Sequence, residues 1–304
     1  MKINVIDIGA PDSFQPITST RNLIECIVAG VTLGEAIKSR VQSVALSGDY
    51  FADENLCFNI RADLWPSFKL INTLLDDPSK IVQIKKNNEK IPAAWISYEE
   101  ESGDLKDNYI IPDEESLVLN YSWDLLNVNE DIIDLLDVDI IKGEVRNGVN
   151  IDGNVIVGEG TVLLPGVYIE GNAIIGRDCK IGPNCYIRGK TYIGDNCHVG
   201  QAVEIKNSIL MNKVSVGHLS YVGDSVIGTG TNFGAGTTTA NLRHDGKNHR
   251  SAIDGELIDS GRRKFGIIVG DDVHTGINTT LYPGRKIWPN VTTLPGEIVS
   301  VDKK

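Results

Sequence analysis

The stretch from Val203 to Asn248, VEIKNSILMNKVSVGHLSYVGDSVIGTGTNFGAGTTTANLRHDGKN, gathers residue types suited to acid–base chemistry on an anionic substrate. His218 supplies an imidazole, which near neutral pH accepts a proton from an ammonium group or another weak acid. Glu204 and Lys206 flank Ile205, and Arg188 follows Ile187, so all three should project outward around inward-facing neighbours. Tyr221, Asn232, Asn241 and Lys247 add hydroxyl, amide and ammonium groups. Further on, Arg243, His244, His249, Arg250, Arg262, Arg263 and Lys264 gather positive charge suited to a phosphate or pyrophosphate. Each residue also has a plainer reading: a solvated turn histidine, a soluble basic surface, or asparagines that satisfy turn backbone.

A repeat has to position them. Stepping by six from Ile151 reaches Val157, Leu163, Ile169, Ile175, Ile181, Ile187, Ile193, Val199 and Ile205, all aliphatic. The column two residues earlier is small or β-branched, from Val149 and Val155 through Cys179, Cys185 and Cys197 to Val203. A period of six fits neither an amphipathic helix nor a simple alternating strand. It fits short strands joined by turns such as Gly-Asp and Pro-Asn, wound into coils that stack at about 4.8 Å. The spacing predicts a slip after Met211, with Val216, Val222, Ile227, Phe233 and Thr239 carrying the pattern onward. Residues 240–264 break it as one inserted loop, and Val269, Thr275, Leu281, Ile287, Thr293 and Val299 resume it.

The 304 residues suggest two domains, and charge separates them. Residues 1–140 hold 25 Asp/Glu against 11 Lys/Arg, whereas residues 141–304 hold 16 against 18. The acidic half argues against a nucleic-acid partner. No run of 18 apolar residues exists, and MKINVIDIGAPD lacks a signal pattern, so a cytoplasmic protein without a membrane segment is the expectation. The five cysteines include no CxxC pair and read as small buried thiols, not disulfides or nucleophiles.

Residues 1–140 read as an α/β domain. INVIDI, VQSVALS, AAWISY and NYIIP look like strands, while TLGEAIKSR, DLWPSFKLINTLL and NEDIIDLLDV look helical. The stretch PITSTRNLIECIVAGVTLGEAI resembles the start of sugar-nucleotide pyrophosphorylases. Their Gly-rich loop is absent, since Gly9-Ala10-Pro11-Asp12 cannot cradle a triphosphate, and Arg21-Asn22 replaces a Pro-Lys pair. The segment is therefore expected to be a reduced, non-catalytic nucleotidyltransferase-like domain, with an unrelated α/β cap as the alternative.

The motifs VEIK, HLSYVGD, NFGAGT and NLRHDGK resemble, in order and interval, the acetyltransferase half of the bifunctional glucosamine-1-phosphate N-acetyltransferase / UDP-N-acetylglucosamine pyrophosphorylase family. SGRRKFGIIVGDDVHTGINTTLYPG looks like its archaeal branch. The resemblance implies a left-handed parallel β-helix over 141–304, a homotrimer with sites between chains, and acetyl-CoA as co-substrate. It implies His218 as the base toward the sugar amine, Glu204 as its orienting partner, and Asn241 as the group that positions the amine or acyl group. Arg188, Lys206 and Lys247 would hold the sugar 1-phosphate, Tyr221 and Asn232 the sugar, and the backbone at Ala235 and Gly236 the thioester. Leu242 stands where the bacterial members carry Tyr, which changes the acceptor or acyl contacts.

The oxyanion of acyl transfer would be met by backbone N–H groups of the Gly-rich turn. A different amino-sugar phosphate, a nucleotide sugar or another acyl donor is the alternative, and a non-catalytic trimer that acts as a structural or regulatory partner is a further one. The zinc carbonic anhydrases of this fold need three clustered histidines, and His198, His218, His244, His249 and His274 form no convincing ligand set, so no metal is expected.

Overall fold

The computed structural model describes residues 1–48, 50, 55–86, 88–98 and 108–304. The chain forms two compact units. The first comprises residues 1–11, 21–26 and 31–120, and the second comprises 12–20, 27–30 and 121–304.

In the first unit five strands lie in the order Lys2–Ile6, Leu56–Arg61, Glu89–Tyr98, Ile81–Lys86, Tyr109–Ile110. The outer pairs are parallel and the two central ones antiparallel. Helix α1, Leu33–Ser47, starts at a capping box in which Thr32 accepts from the Glu35 N–H and Glu35 accepts from the Thr32 N–H. It runs straight through VQSVALS, which the sequence reading takes as a strand. Ile37, Val41, Val44 and Ala45 recur at helical spacing and are buried, and no breaker separates them from the first turns.

Helix α2, Phe68–Asp76, begins later than DLWPSFKLINTLL implies. Pro66 disfavours helical backbone at Trp65, and Leu64–Trp65 pairs instead with Leu117–Val118. Ser67 then caps α2 by accepting from the Leu70 N–H. Of the five-stranded sheet, Leu56–Arg61 and Ile81–Lys86 escaped the sequence reading.

The second unit is a parallel β-solenoid with three faces of eight, six and eight strands. The first face runs from Ile140–Ile141 to Lys286–Ile287, the second from Glu144–Val145 to Asn232–Phe233, and the third from Asn150–Asp152 to Ile298–Val299. The period of six becomes three residue columns that meet in the core. Val157, Ile175 and Ile193 stack on the first face, Leu163, Ile181 and Val199 on the second, and Ile169, Ile187 and Ile205 on the third. All nine are at most 1% exposed, so each contributes about 1.5–3 kcal/mol of apolar burial. The cysteines are all buried, and burial pushes the Cys185 thiol up to about 12, far from nucleophilic readiness.

The first coil is two residues short between Ile141 and Val145, in register with Val157 and Leu163; from Ile151 onward the departures from period six fall at one corner, where the third face passes into the first. Ile205 to Leu210 and Val222 to Ile227 each span five residues, with Leu210 in register with Ile193 and Ile227 with Leu210. The first slip therefore precedes Met211, and Leu210 is the residue facing the core. At the next coil the same corner carries the insertion, because Ile227 pairs onward with Val269. The insertion contains an antiparallel hairpin, Arg250–Ile253 with Glu256–Asp259, and a bridge between Leu242 and Lys264 closes its base.

Helix α3, Asp124–Asp134, packs on this unit through buried Asn129, which donates to Lys190 O. Asn172 donates to the carbonyls of Ile133 and Leu136 at the C-terminal end of α3, where backbone acceptors lack intrahelical partners. No helix among the described residues is long and apolar enough to cross a membrane.

Candidate active site

The two shortened turns have the same design. In Lys206-Asn207-Ser208-Ile209 and Gly223-Asp224-Ser225-Val226, the second residue is left-handed, with φ of 47° at Asn207 and 51° at Asp224. Asn and Asp tolerate that conformation better than other residues with a Cβ. The serine of each turn donates back to the carbonyl two residues earlier, Ser208 to Lys206 and Ser225 to Gly223. Ser208 Oγ also accepts the Ser225 N–H, which ties the two coils together. One coil further on, at the same seventeen-residue step, stands Asn241, at the corresponding position of the corner where the insertion opens. Asn207, Asp224 and Asn241 thus form a ladder of short polar side chains.

Asp224 is the centre of that ladder. It is 2% exposed, and its carboxylate accepts from Lys206 Nζ at 2.8 and 3.1 Å, from Asn207 Nδ2 at 3.2 Å and from Asn241 Nδ2 at 2.6 Å. Asn241 Nδ2 also donates to the Tyr221 hydroxyl at 2.8 Å. Gly223 leaves room for this pair: a Cβ would meet the Tyr221 hydroxyl at 2.4 Å and Asn241 Nδ2 at 2.8 Å, so both side chains would have to shift. Burial, then the Asp224 and Glu204 carboxylates, raise the Tyr221 pKa, so the phenol stays protonated at neutral pH. Beside this cluster, Arg188 donates to Glu204 Oε1 through Nε at 2.7 Å and Nη2 at 2.6 Å. A 340 Å³ cavity lies over the third face, lined by Tyr186, Glu204, Ser220, Tyr221 and Thr238 among others.

The structure therefore brings together five of the residues singled out in the sequence: Arg188, Glu204, Lys206, Tyr221 and Asn241. Asp224 was missed as a functional residue, although it sits inside HLSYVGD. Its signal is the shared seventeen-residue interval to Asn207 and Asn241. That interval becomes meaningful only once the coil is known to be seventeen residues long.

The remaining residues lie elsewhere. His218 ends a strand of the second face, its ring exposed and without a hydrogen bond or ion pair among the described residues. Its carbonyl accepts from the Gly236 N–H at 3.1 Å and from Ser220 Oγ at 2.7 Å. Within the chain Glu204 is held by Arg188 and makes no hydrogen bond to His218. Asn232 stands at the start of a second-face strand, exposed and in register with Ser215. Lys247 is exposed on the insertion next to an Arg243–Asp245 pair. Burial, followed by Lys180 and His218, lowers the pKa of His198, which lies in the second-face column of Lys180 and Ser215. No group of three or more His, Cys, Asp or Glu side chains among the described residues could hold a metal ion.

The Gly-rich turn offers fewer free donors than the sequence suggests. Gly234 N–H donates to Thr275 O, Gly236 N–H to His218 O and Thr237 N–H to Gly234 O. Stacking of one coil on the next consumes these groups. The Ala235 N–H has no acceptor among the described residues, so it is the turn's available backbone donor.

Comparison with known proteins bears on this geometry. Residues 169–293 match the family model described as the GMPPB C-terminal domain. A "Bifunctional sugar-1-phosphate nucleotidylyltransferase/acetyltransferase" of Sulfurisphaera tokodaii is 43% identical over 180 residues, 59% of this chain and 45% of that protein. A "Bifunctional protein GlmU" of Methanococcus vannielii is 35% identical over 269 residues, 88% of this chain and 59% of that protein. Over its solenoid, the chain resembles the acetyltransferase half of these archaeal bifunctional proteins. It spans about half the length of the curated relatives it matches. Among solved structures, the acetyltransferase domain of PglB from Neisseria gonorrhoeae, in complex with acetyl coenzyme A, aligns at a TM-score of 0.29 and 14% identity. That alignment covers 62% of this chain and 86% of that one.

Proposed function

We propose that the solenoid transfers an acetyl group from acetyl-CoA to the amine of an amino-sugar 1-phosphate such as glucosamine-1-phosphate. The observation that carries this reading is the continuous strip Arg188–Glu204, Lys206–Asp224–Asn241–Tyr221. It sets cations for a phosphate beside hydroxyl and amide groups for a sugar. The similarity to bifunctional relatives supports it independently.

In this mechanism Arg188, Lys206 and Lys247 hold the phosphate, while Tyr221 and Asn232 hold the sugar. Asn241 positions the amine or acyl group. His218 takes the proton that the amine loses as nitrogen forms its bond to the thioester carbon. The Ala235 N–H meets the oxyanion, with the Gly236 turn facing the thioester. Collapse breaks the carbon–sulfur bond, and the proton held by His218 ends on the departing thiolate. The products are the N-acetyl sugar phosphate and free CoA.

His218 and Asn232 occupy the second face, whereas Glu204 and Tyr221 occupy the third. A site that uses all four suits a symmetric oligomer in which one copy's second face meets another copy's third face. That arrangement supports the trimer reading and gives Glu204 a route to His218 across copies. Residues 1–140 fit a reduced nucleotidyltransferase-like domain that no longer transfers nucleotides, and the chain fits a cytoplasmic enzyme.

The test is release of free thiol from acetyl-CoA with glucosamine-1-phosphate, galactosamine-1-phosphate and other amino-sugar phosphates. Absence of thiol release with every acceptor overturns the reading.

A further inference from the structure

The cations at the end of the insertion are not used by this mechanism, yet three of them line the largest described cavity on this flank. A 460 Å³ pocket is bounded by α3, by the shortened corner turns and by Gly261–Lys264. Lys190, Lys206, Arg262, Arg263 and Lys264 face it, against two carboxylates, Glu130 and Asp224.

The carboxylates are already committed. Asp224 is shared by Lys206, Asn207 and Asn241, and Glu130 accepts from Asn207 Nδ2 at 2.8 Å and from Arg262. Arg262 also donates to Asn127, and its Nε is buried without a partner. Lys190 reaches Asp134 at 3.1 Å outside the pocket's lining. Arg263 and Lys264 are exposed and have no carboxylate partner among the described residues. The other cations of the insertion are disposed differently: Arg243 pairs with Asp245, and buried His249 donates to Asn241 O at 2.9 Å. The pocket thus has an excess of positive charge, two unpaired cations at its mouth and a volume within the range of small-ligand sites.

We propose that this pocket binds a multiply charged phosphoryl group, with Lys206 as the residue it shares with the acetyl-transfer strip. Lys190 and the Arg262–Lys264 run line the same pocket, and Arg262 is held in place by Asn127 and Glu130 of α3. Two sources supply this chemistry. One is a phosphate or diphosphate on the acceptor itself, which would extend the acceptor beyond Lys206. The other is a separate phosphate-bearing effector. The first source rests on the acetyltransferase reading, whereas binding as such does not.

The experiment titrates the full chain with inorganic pyrophosphate and inorganic phosphate by calorimetry. It compares wild type, the double variant Arg263→Glu/Lys264→Glu, and a charge-matched double control, Lys38→Glu/Lys142→Glu, at two exposed lysines outside the pocket's lining. Pyrophosphate should bind more tightly than phosphate, and the double variant should weaken it by at least about ten-fold while the control stays within two-fold. Thermal midpoints verify that both variants are folded. No binding by wild type at millimolar pyrophosphate, or equal affinity in wild type and double variant, overturns the proposal.

A kinetic arm separates the sources. Competition between pyrophosphate and the acceptor assigns the pocket to the acceptor, and inhibition or activation that leaves acceptor KM unchanged assigns it to an effector. If no acceptor turns over, the acetyltransferase reading fails while the binding result stands by itself.

Discussion

Two corners of the solenoid are regular, and the third is not. From Ile151 onward, every coil takes six residues between inward-facing positions from the first face to the second and from the second to the third. From the third face to the first, two successive coils are one residue short and the next carries the insertion. At the regular corners, turn side chains tie one coil to the next. Asp195, for example, accepts from the Arg177 N–H and side chain. The irregular corner instead stacks Asn207, Asp224 and Asn241 and draws in Lys206, Tyr221, Glu130 and Arg262. Shortening a turn leaves the core column intact but pulls a polar residue inward over it, where it can be desolvated and fully hydrogen-bonded. The comparison teaches that a solenoid gains a site where its period fails, because only there do side chains from several coils converge.

The contrast can be broken most forcefully at Asp224. Asp224→Ala leaves Lys206 partly buried without its partner, which should cost about 3–5 kcal/mol in urea unfolding. A loss under 1 kcal/mol would mean that the irregular corner is no more demanding than the regular ones.

His218→Ala should lower turnover about 10²-fold with little change in unfolding midpoint, since its ring is exposed. Unchanged turnover would remove it as the base. Gly223→Ala should cost about 1–3 kcal/mol, because the new methyl displaces the Tyr221 hydroxyl and the Asn241 amide. A fully active, fully stable variant would show that this packing is dispensable.

A smaller effect concerns pH. Burial lowers the pKa of His249, whose Nε2 donates to Asn241 O. The unfolded chain therefore takes up the proton first as pH falls, so stability is full above about 6.5 and declines below it. Urea midpoints at pH 7.5 and 5.5 should differ more for wild type than for His249→Gln, and equal differences would exclude His249 as the source. The smallest effect belongs to the regular corner: Arg177→Ala removes an exposed pair, and its unfolding midpoint should match wild type within error.

The solenoid was legible in the sequence because inward positions tolerate only aliphatic or small residues, and a period written ten times over withstands local error. The motif residues were legible as types and intervals. Their grouping was not, since Tyr221 and Asn241 meet only because one coil is seventeen residues long. The first slip was read one step late because Leu210 and Met211 are both apolar, and hydropathy alone does not distinguish the core-facing one. In the first unit, VQSVALS was mistaken for a strand because β-branched valines suggest one, while the helical recurrence of Ile37, Val41 and Val44 spans more residues than that window.

The amino-acid sequence by itself determined the repeat, the place of the insertion and the identities of the polar residues beside it. Local steric fit and burial impose those constraints residue by residue. Only the tertiary structure decided which polar residues share a corner, that Asp224 anchors them, and that the Ala235 N–H has no acceptor among the described residues while its neighbours are bound. It also selected Arg262, Arg263 and Lys264 from the insertion's cations as the ones that face a cavity. Stacking produces these outcomes: it brings residues seventeen or eighteen apart into register, so which of them meet depends on the length of the coil between them.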